Sequence, residues 1–144
     1  MARLLLPCAL FTTALAMTAC GGSANDGAAE PDPAVLYGKA FTVTEMTMGG
    51  SSVEPVSGST IIITTLEDSV SANAGCNTMN GEATYTPTQI TVGPIAMTMM
   101  ACEPALMEQD LLVGSFLEAD PLWSLDGELL TLTTGTDSMV LRVG

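Results

Sequence analysis

Ser69-Val70-Ser71-Ala72-Asn73-Ala74-Gly75-Cys76-Asn77-Thr78-Met79-Asn80-Gly81-Glu82-Ala83-Thr84-Tyr85-Thr86 decides the fold class. Its first six residues alternate, with Val70, Ala72 and Ala74 in phase. Period two is the signature of a strand with one buried face. Gly75 to Gly81 reads as a loop, and Glu82 to Thr86 as the next strand, broken by Pro87. Glycine, asparagine and proline at those positions favour turns over continued extension.

The pattern repeats on both sides. Upstream, the β-branched run Thr60 to Leu66 reads as a strand, turned by Glu67-Asp68. Before it, Gly49 to Gly58 reads as a loop and Thr42 to Met48 as the first strand, where a phase slip near Glu45 predicts a bulge. Downstream, Gln89 to Val92 reads as a short strand ended by Gly93-Pro94, and residues 95–102 are apolar and Met-rich. Leu122 to Leu125 and Glu128 to Thr133 flank Asp126-Gly127, a strong two-residue hairpin signal. Gly135-Thr136-Asp137 then turns into a last strand, Ser138 to Val143.

One helix interrupts the strands, about Pro104 to Ala119. Proline suits the first helical position, and Asp120-Pro121 stops the helix. Ala105, Leu106, Leu112, Val113, Phe116 and Leu117 form its apolar stripe, leaving Glu108, Gln109, Asp110 and Glu118 for water. Gly114 weakens its middle. The expected fold is mostly β (α+β): a partly open antiparallel barrel or sheet of seven or eight short strands, with one packed α-helix.

Residues 1–19 read as an export leader. Arg3 starts it, Leu4 to Leu15 is apolar, and Met17-Thr18-Ala19 precede Cys20. The apolar stretch is too short for a membrane-spanning helix, which needs about 20 residues. The junction resembles the bacterial lipobox, with Met17 where leucine is commonest. That resemblance implies a diacylglycerol on the Cys20 thiol; the competing reading is ordinary cleavage after Ala14-Leu15-Ala16. Two acyl chains hold a protein to a membrane where one is marginal. Residues 20–35 then form the lipidated cysteine and a Gly-, Ser-, Pro- and acid-rich tether, whose mean reach as an unstructured chain is roughly 20 Å. Residues 36–144 form the domain.

Charge narrows the partners. After the leader only Lys39 and Arg142 are basic, against sixteen acidic residues, two against sixteen leaving −14. Such a surface repels phosphate backbones and anionic headgroups, which excludes nucleic acid and peripheral binding through basic residues. Membrane attachment must then be covalent or apolar, and the expected location is extracytoplasmic, on the cell membrane or the outer membrane.

Cysteine counting leaves two readings open. With Cys8 in the leader and Cys20 as anchor, Cys76 and Cys102 remain, either disulfide-bonded or buried as free thiols. Two sulfurs without histidine fall short of a zinc site. The chain has no histidine, the usual base at neutral pH. Lys39 stands alone, and no carboxylate pair sits in a catalytic frame, so the sequence points away from an enzyme and from a resident cofactor.

Gly75-Cys76-Asn77, Gly81, Tyr85 and Ala96-Met97-Thr98-Met99-Met100-Ala101-Cys102, followed by a helix and Leu129 to Leu132, resemble the META domain of HslJ-like proteins. The G-C-N-x-x-x-G and T-x-M-x-C elements match at Gly75, Cys76, Asn77, Gly81, Thr98, Met100 and Cys102. The family's first-strand tryptophan is absent, with Phe41 in its place. The resemblance implies a non-catalytic envelope lipoprotein with loose links to stress. Its motif residues would be structural: Gly75 and Gly81 for loop geometry, and Asn77 bonding its own loop backbone, with ligand contact as the alternative. A protein or lipid partner is expected. A competing reading takes Met46, Met48, Met97, Met99 and Met100 as soft ligands for Cu(I) or the domain as a binder of lipid or small ligands.

Overall fold

A computed structural model describes residues 29–144. The leader, Cys20 and the tether up to residue 28 lie outside the described residues. A 3-10 turn spans Pro33–Leu36, started by Asp32, whose side chain accepts from the Ala34 N–H. Leu36 is fully buried, and its carbonyl accepts from the Thr65 hydroxyl.

Ten strands and one α-helix follow among the described residues: β1 (Lys39–Met48), β2 (Ser51–Val53), β3 (Ile62–Thr65), β4 (Ser69–Asn73), β5 (Thr78–Tyr85), β6 (Ile90–Val92), β7 (Ala96–Met97), α1 (Pro104–Glu118), β8 (Leu122–Asp126), β9 (Leu129–Thr134) and β10 (Asp137–Val143). All pairings are antiparallel, in the order β6-β5-β4-β3-β1-β10-β9-β8. Eight strands lie on this path, while β2 adds to β1 and β7 to β5. The two ends of the path meet. Gln89 bridges Leu122, the Ile90 N–H donates to Pro121 O at 2.9 Å, and the Trp123 N–H donates to Thr88 O at 2.9 Å. The sheet is thus a nearly closed barrel, which protects most of its edges.

The predicted bulge is present: the β1–β10 register shifts between Val43 and Glu45. Asp126-Gly127 makes the β8–β9 hairpin, with Gly127 at φ 60°. One loop expectation fails. Thr78 to Gly81, read as loop, is the first half of β5, which buries Met79, Gly81, Ala83 and Tyr85 on one face. Gly81 holds this place because a side chain would crowd Ile95, Val92 and the Gly93 carbonyl at 3.2–3.3 Å. Close approach, not a left-handed backbone, is what requires glycine there.

The core combines Phe41, Ile61, Ile63, Leu130, Leu132, Met139 and Leu141 from the strands with Val113, Phe116 and Leu117 from α1. Each such side chain contributes about 1.5–3 kcal/mol by leaving water. Phe41 is fully buried in β1. Gly114 weakens helix propensity but lets α1 lie close to Met79 and Met97, whose side chains come within 3.5–3.6 Å of where its Cβ would stand.

The helix face was misjudged at two positions. Gln109 and Asp110, expected in water, are buried. A buried polar side chain is tolerated only with hydrogen-bond partners. Gln109 Nε2 donates to Ser59 Oγ at 2.9 Å and to the Ala74 carbonyl, and its Oε1 accepts from the Val56 N–H at 2.6 Å. These bonds fasten the loop before β3 to the helix.

Candidate functional site

The motif segments converge beside α1. Gly75 turns the chain out of β4 at φ 108°, a conformation closed to ordinary side chains. Asn73 secures the turn: its Oδ1 accepts from the Gly75 N–H at 3.1 Å and its Nδ2 donates to Asn77 O at 3.2 Å. The local loop-bonding role expected of Asn77 therefore belongs to Asn73. Asn77 itself points inward and joins three parts of the chain.

Its Oδ1 accepts from Thr98 Oγ1 at 2.9 Å and from the Met100 N–H at 2.8 Å. Its Nδ2 and its backbone N–H both donate to Asp110 Oδ2, at 2.9 and 2.8 Å. Asp110 Oδ1 is buried with no partner among the described residues. Thr98 also accepts at Oγ1 from the Thr78 N–H and donates its own N–H to Thr78 O, each at 3.0 Å. Cys76 and Cys102 are disulfide-bonded, with Cα atoms 6.1 Å apart. Thr98 Oγ1, the Met100 N–H and the Cys102 sulfur are thus fastened to the Cys76-Asn77 segment, while the Met100 side chain stays in the open. The residue between the first two, Met99, is thrown outward and is 99% exposed.

The result is a cleft. Met97, Thr98, Met99, Met100 and Ala101 form one wall, Met107 and Leu111 of α1 the other, and Asn77 the floor, around a volume of 340 Å³. A second volume of 390 Å³ continues along α1 past Gly114, Ser115 and Glu118, sharing Met97, Thr98, Met99 and Leu111 with the first. Met100, Met107 and Leu111 are 60%, 43% and 62% exposed. Isolated exposed apolar residues are ordinary, whereas these lie together around one cleft. Thioethers are flexible and polarizable, and they conform to differently shaped apolar partners. Asn77 and Thr98 already spend polar groups on each other, so the methionine-lined part of the cleft offers mainly dispersion and burial.

The structure gathers Gly75, Cys76, Asn77, Thr98, Met100 and Cys102 into one framework and leaves Gly81 in the barrel wall nearby. It does not bring the two Met patches together. Met46 is buried beneath a separate hollow lined by Val53, Val56 and Leu112, and Met48 packs at the core's edge. Met107, Leu111, Gln109 and Asp110 carry no motif in the sequence, yet they line or brace the cleft. Met107 and Leu111 are four apart and off the apolar stripe, the spacing of a second helical face.

A nearly closed antiparallel barrel, packed by one helix and pinned by the G-C-N and T-x-M-x-C elements, defines the class of domain. The META domain model matches residues 34–144, and the chain belongs to the META-domain family. Two solved structures share the fold. One, an NMR structure, is 24% identical with a TM-score of 0.60, over 78% of this chain and 94% of that one. The other, an NMR structure of a protein from Burkholderia xenovorans, is 16% identical with a TM-score of 0.63, over 79% and 91%. No curated protein sequence matches the chain.

Proposed function

We propose that this META-domain protein is a non-catalytic, lipid-anchored interaction module of the bacterial envelope, holding an apolar partner in the methionine-lined cleft. The observation that carries the reading is the exposure of Met99, Met100, Met107 and Leu111 around one cleft on a pinned framework. The Cys76–Cys102 disulfide supports an oxidising, extracytoplasmic setting. The leader and Cys20 support covalent anchoring.

Two measurements test it. Replacing Cys20 by Ser should move the protein out of the membrane fraction and abolish incorporation of labelled palmitate; unchanged fractionation would remove the anchor from the proposal. The apolar dye N-phenylnaphthylamine should bind saturably to the domain, and Met99→Gln with Met107→Gln should remove that binding. An envelope-stress accessory with no ligand predicts a deletion phenotype that the same double variant rescues fully.

Copper remains a second reading on one observation: the fold adds Met107 to Met97, Met99 and Met100 around a single cleft. Met46 lies in the core and is not part of it. Competition with a Cu(I) chelator should show copper retention lost when Met99, Met100 and Met107 become Leu; equal retention by that variant would sink this reading.

A further inference from the structure

Charge around the cleft narrows its occupant. From Pro87 to Pro121, which includes β6, β7, the cleft walls and α1, there is no lysine or arginine. The same stretch carries Glu103, Glu108, Asp110, Glu118 and Asp120. Glu118 lines the cleft's extension, where its Oε1 accepts from the Ile95 N–H at 2.8 Å, while the exposed Glu103 and Glu108 line neighbouring hollows along α1, beside Leu106 and Leu112 respectively. The domain's two cations stand elsewhere: Lys39 on β1 and Arg142 on β10, where Arg142 faces Glu128 at 3.6 Å. The cleft is therefore an apolar trough in a field of one sign, with no cation beside it to soften that field.

A partner that fills the trough with apolar side chains meets Glu118 directly and the other carboxylates through their field. An anionic amphiphile is repelled, and a neutral chain gains nothing from the rim. A segment that presents leucine-like residues on one side and lysine or arginine on the other satisfies both. Resting on the cleft-binding reading above, we propose that the occupant is a cationic amphipathic polypeptide segment, with apolar residues seated among Met99, Met107 and Leu111, a basic residue against Glu118, and others reaching outward over α1 to Glu103 and Glu108. Adaptable thioethers accommodate more than one apolar sequence, so recognition rests on amphipathicity and positive charge more than on a fixed motif.

The test uses the lipidated protein in phosphatidylcholine nanodiscs, with empty nanodiscs as the blank. Fluorescence anisotropy follows a labelled helical peptide of Lys, Leu and Ala, beside counterparts carrying Glu or Gln in place of every Lys. The expected result is saturable binding of the Lys peptide, at least tenfold tighter than either counterpart, weakened several-fold by raised salt. Met99→Gln, Met107→Gln and Leu111→Gln together should weaken it at least tenfold, with fluorescence from the buried Trp123 reporting an intact fold. Equal binding of the Lys and Gln peptides, lost in the triple variant, overturns the cationic partner while leaving the cleft as a binding site. Lys-peptide binding that survives the triple variant overturns the proposal as charge attraction alone. Absence of any peptide binding also overturns it, and the apolar dye then reports separately whether the cleft binds at all.

Discussion

Asn77 and Asp110, 33 residues apart, meet inside the domain, where one carboxylate oxygen accepts both the side-chain and the backbone N–H of the asparagine. Asn77 thus joins β5, the methionine wall and α1. Replacing it by Ala removes the acceptor for Thr98 and Met100 and one donor to Asp110. Each buried polar group left unmatched costs about 1–3 kcal/mol, so Asn77→Ala should destabilise by about 3 kcal/mol in urea melts. Asn77→Asp keeps the shape but sets two carboxylates together, and should do no better. A loss under 1 kcal/mol for both would remove this contact from the framework.

Reducing the Cys76–Cys102 disulfide, or replacing both cysteines by Ala, releases a loop with a sequence separation of 26. Chain-entropy arguments put the loss at about 3.5 kcal/mol. Because Thr98 and Met100 remain bonded to Asn77, the reduced domain should stay folded, with faster amide exchange concentrated in residues 97–103. Uniformly faster exchange would contradict this division.

Two motif glycines should fail for different reasons. At Gly75 a side chain meets both a forbidden backbone angle and Ser59 Cβ at 2.9 Å, so Gly75→Ala should cost about 3 kcal/mol or more. At Gly81 the backbone permits alanine and only the 3.2 Å contacts with Val92 and Ile95 resist, so the cost should fall to about 1–2 kcal/mol. Thermal melts of the two variants decide the order.

Limited peroxide should oxidise Met99 before Met100 and Met107, sparing the buried Met46, Met79 and Met139. Peptide mapping by mass spectrometry gives the order directly. Sulfoxide in the cleft turns an apolar wall polar, so dye binding should fall in step with Met99 and Met107 oxidation while the melting curve holds.

Tyr85 lies under the barrel wall, its ring edge-on to Tyr37 with centroids 5.3 Å apart and its hydroxyl donating to Ser69 O at 2.8 Å. Burial pushes its pKa from the usual 10.0 up to about 12. The native state keeps this proton after the unfolded chain has lost it, so stability falls as pH rises through the window from 10 to 12. Tyr85→Phe should flatten that decline, and a matching decline in the variant would place its origin elsewhere.

Much of the fold was legible because strand alternation and turn chemistry are local. Val70 and Ala72, the Asp126-Gly127 hairpin and the slip near Glu45 all declare themselves within a few residues. The misread parts depend on partners far along the chain. Asp110 and Gln109 look solvent-bound because the groups that satisfy them, Asn77, Ser59, Val56 and Ala74, are distant in sequence. The first half of β5 was hidden because Asn80 and Gly81 carry turn signals, although Met79, Gly81, Ala83 and Tyr85 keep period two if glycine is counted as a small buried residue. Half of the cleft was visible as Met97-x-Met99-Met100; the half from Met107 and Leu111 needed the helix to be placed.

The bonds that hold Thr98 Oγ1, the Met100 backbone and Cys102 while leaving the Met99 side chain in solvent separate the domain's architecture from the lining of its cleft. Substitutions at Met99, Met107 and Leu111 leave these hydrogen bonds and the disulfide intact, so the cleft's lining can change without first gathering stabilising mutations elsewhere. The lining of the cleft is therefore free to vary on one unchanged scaffold.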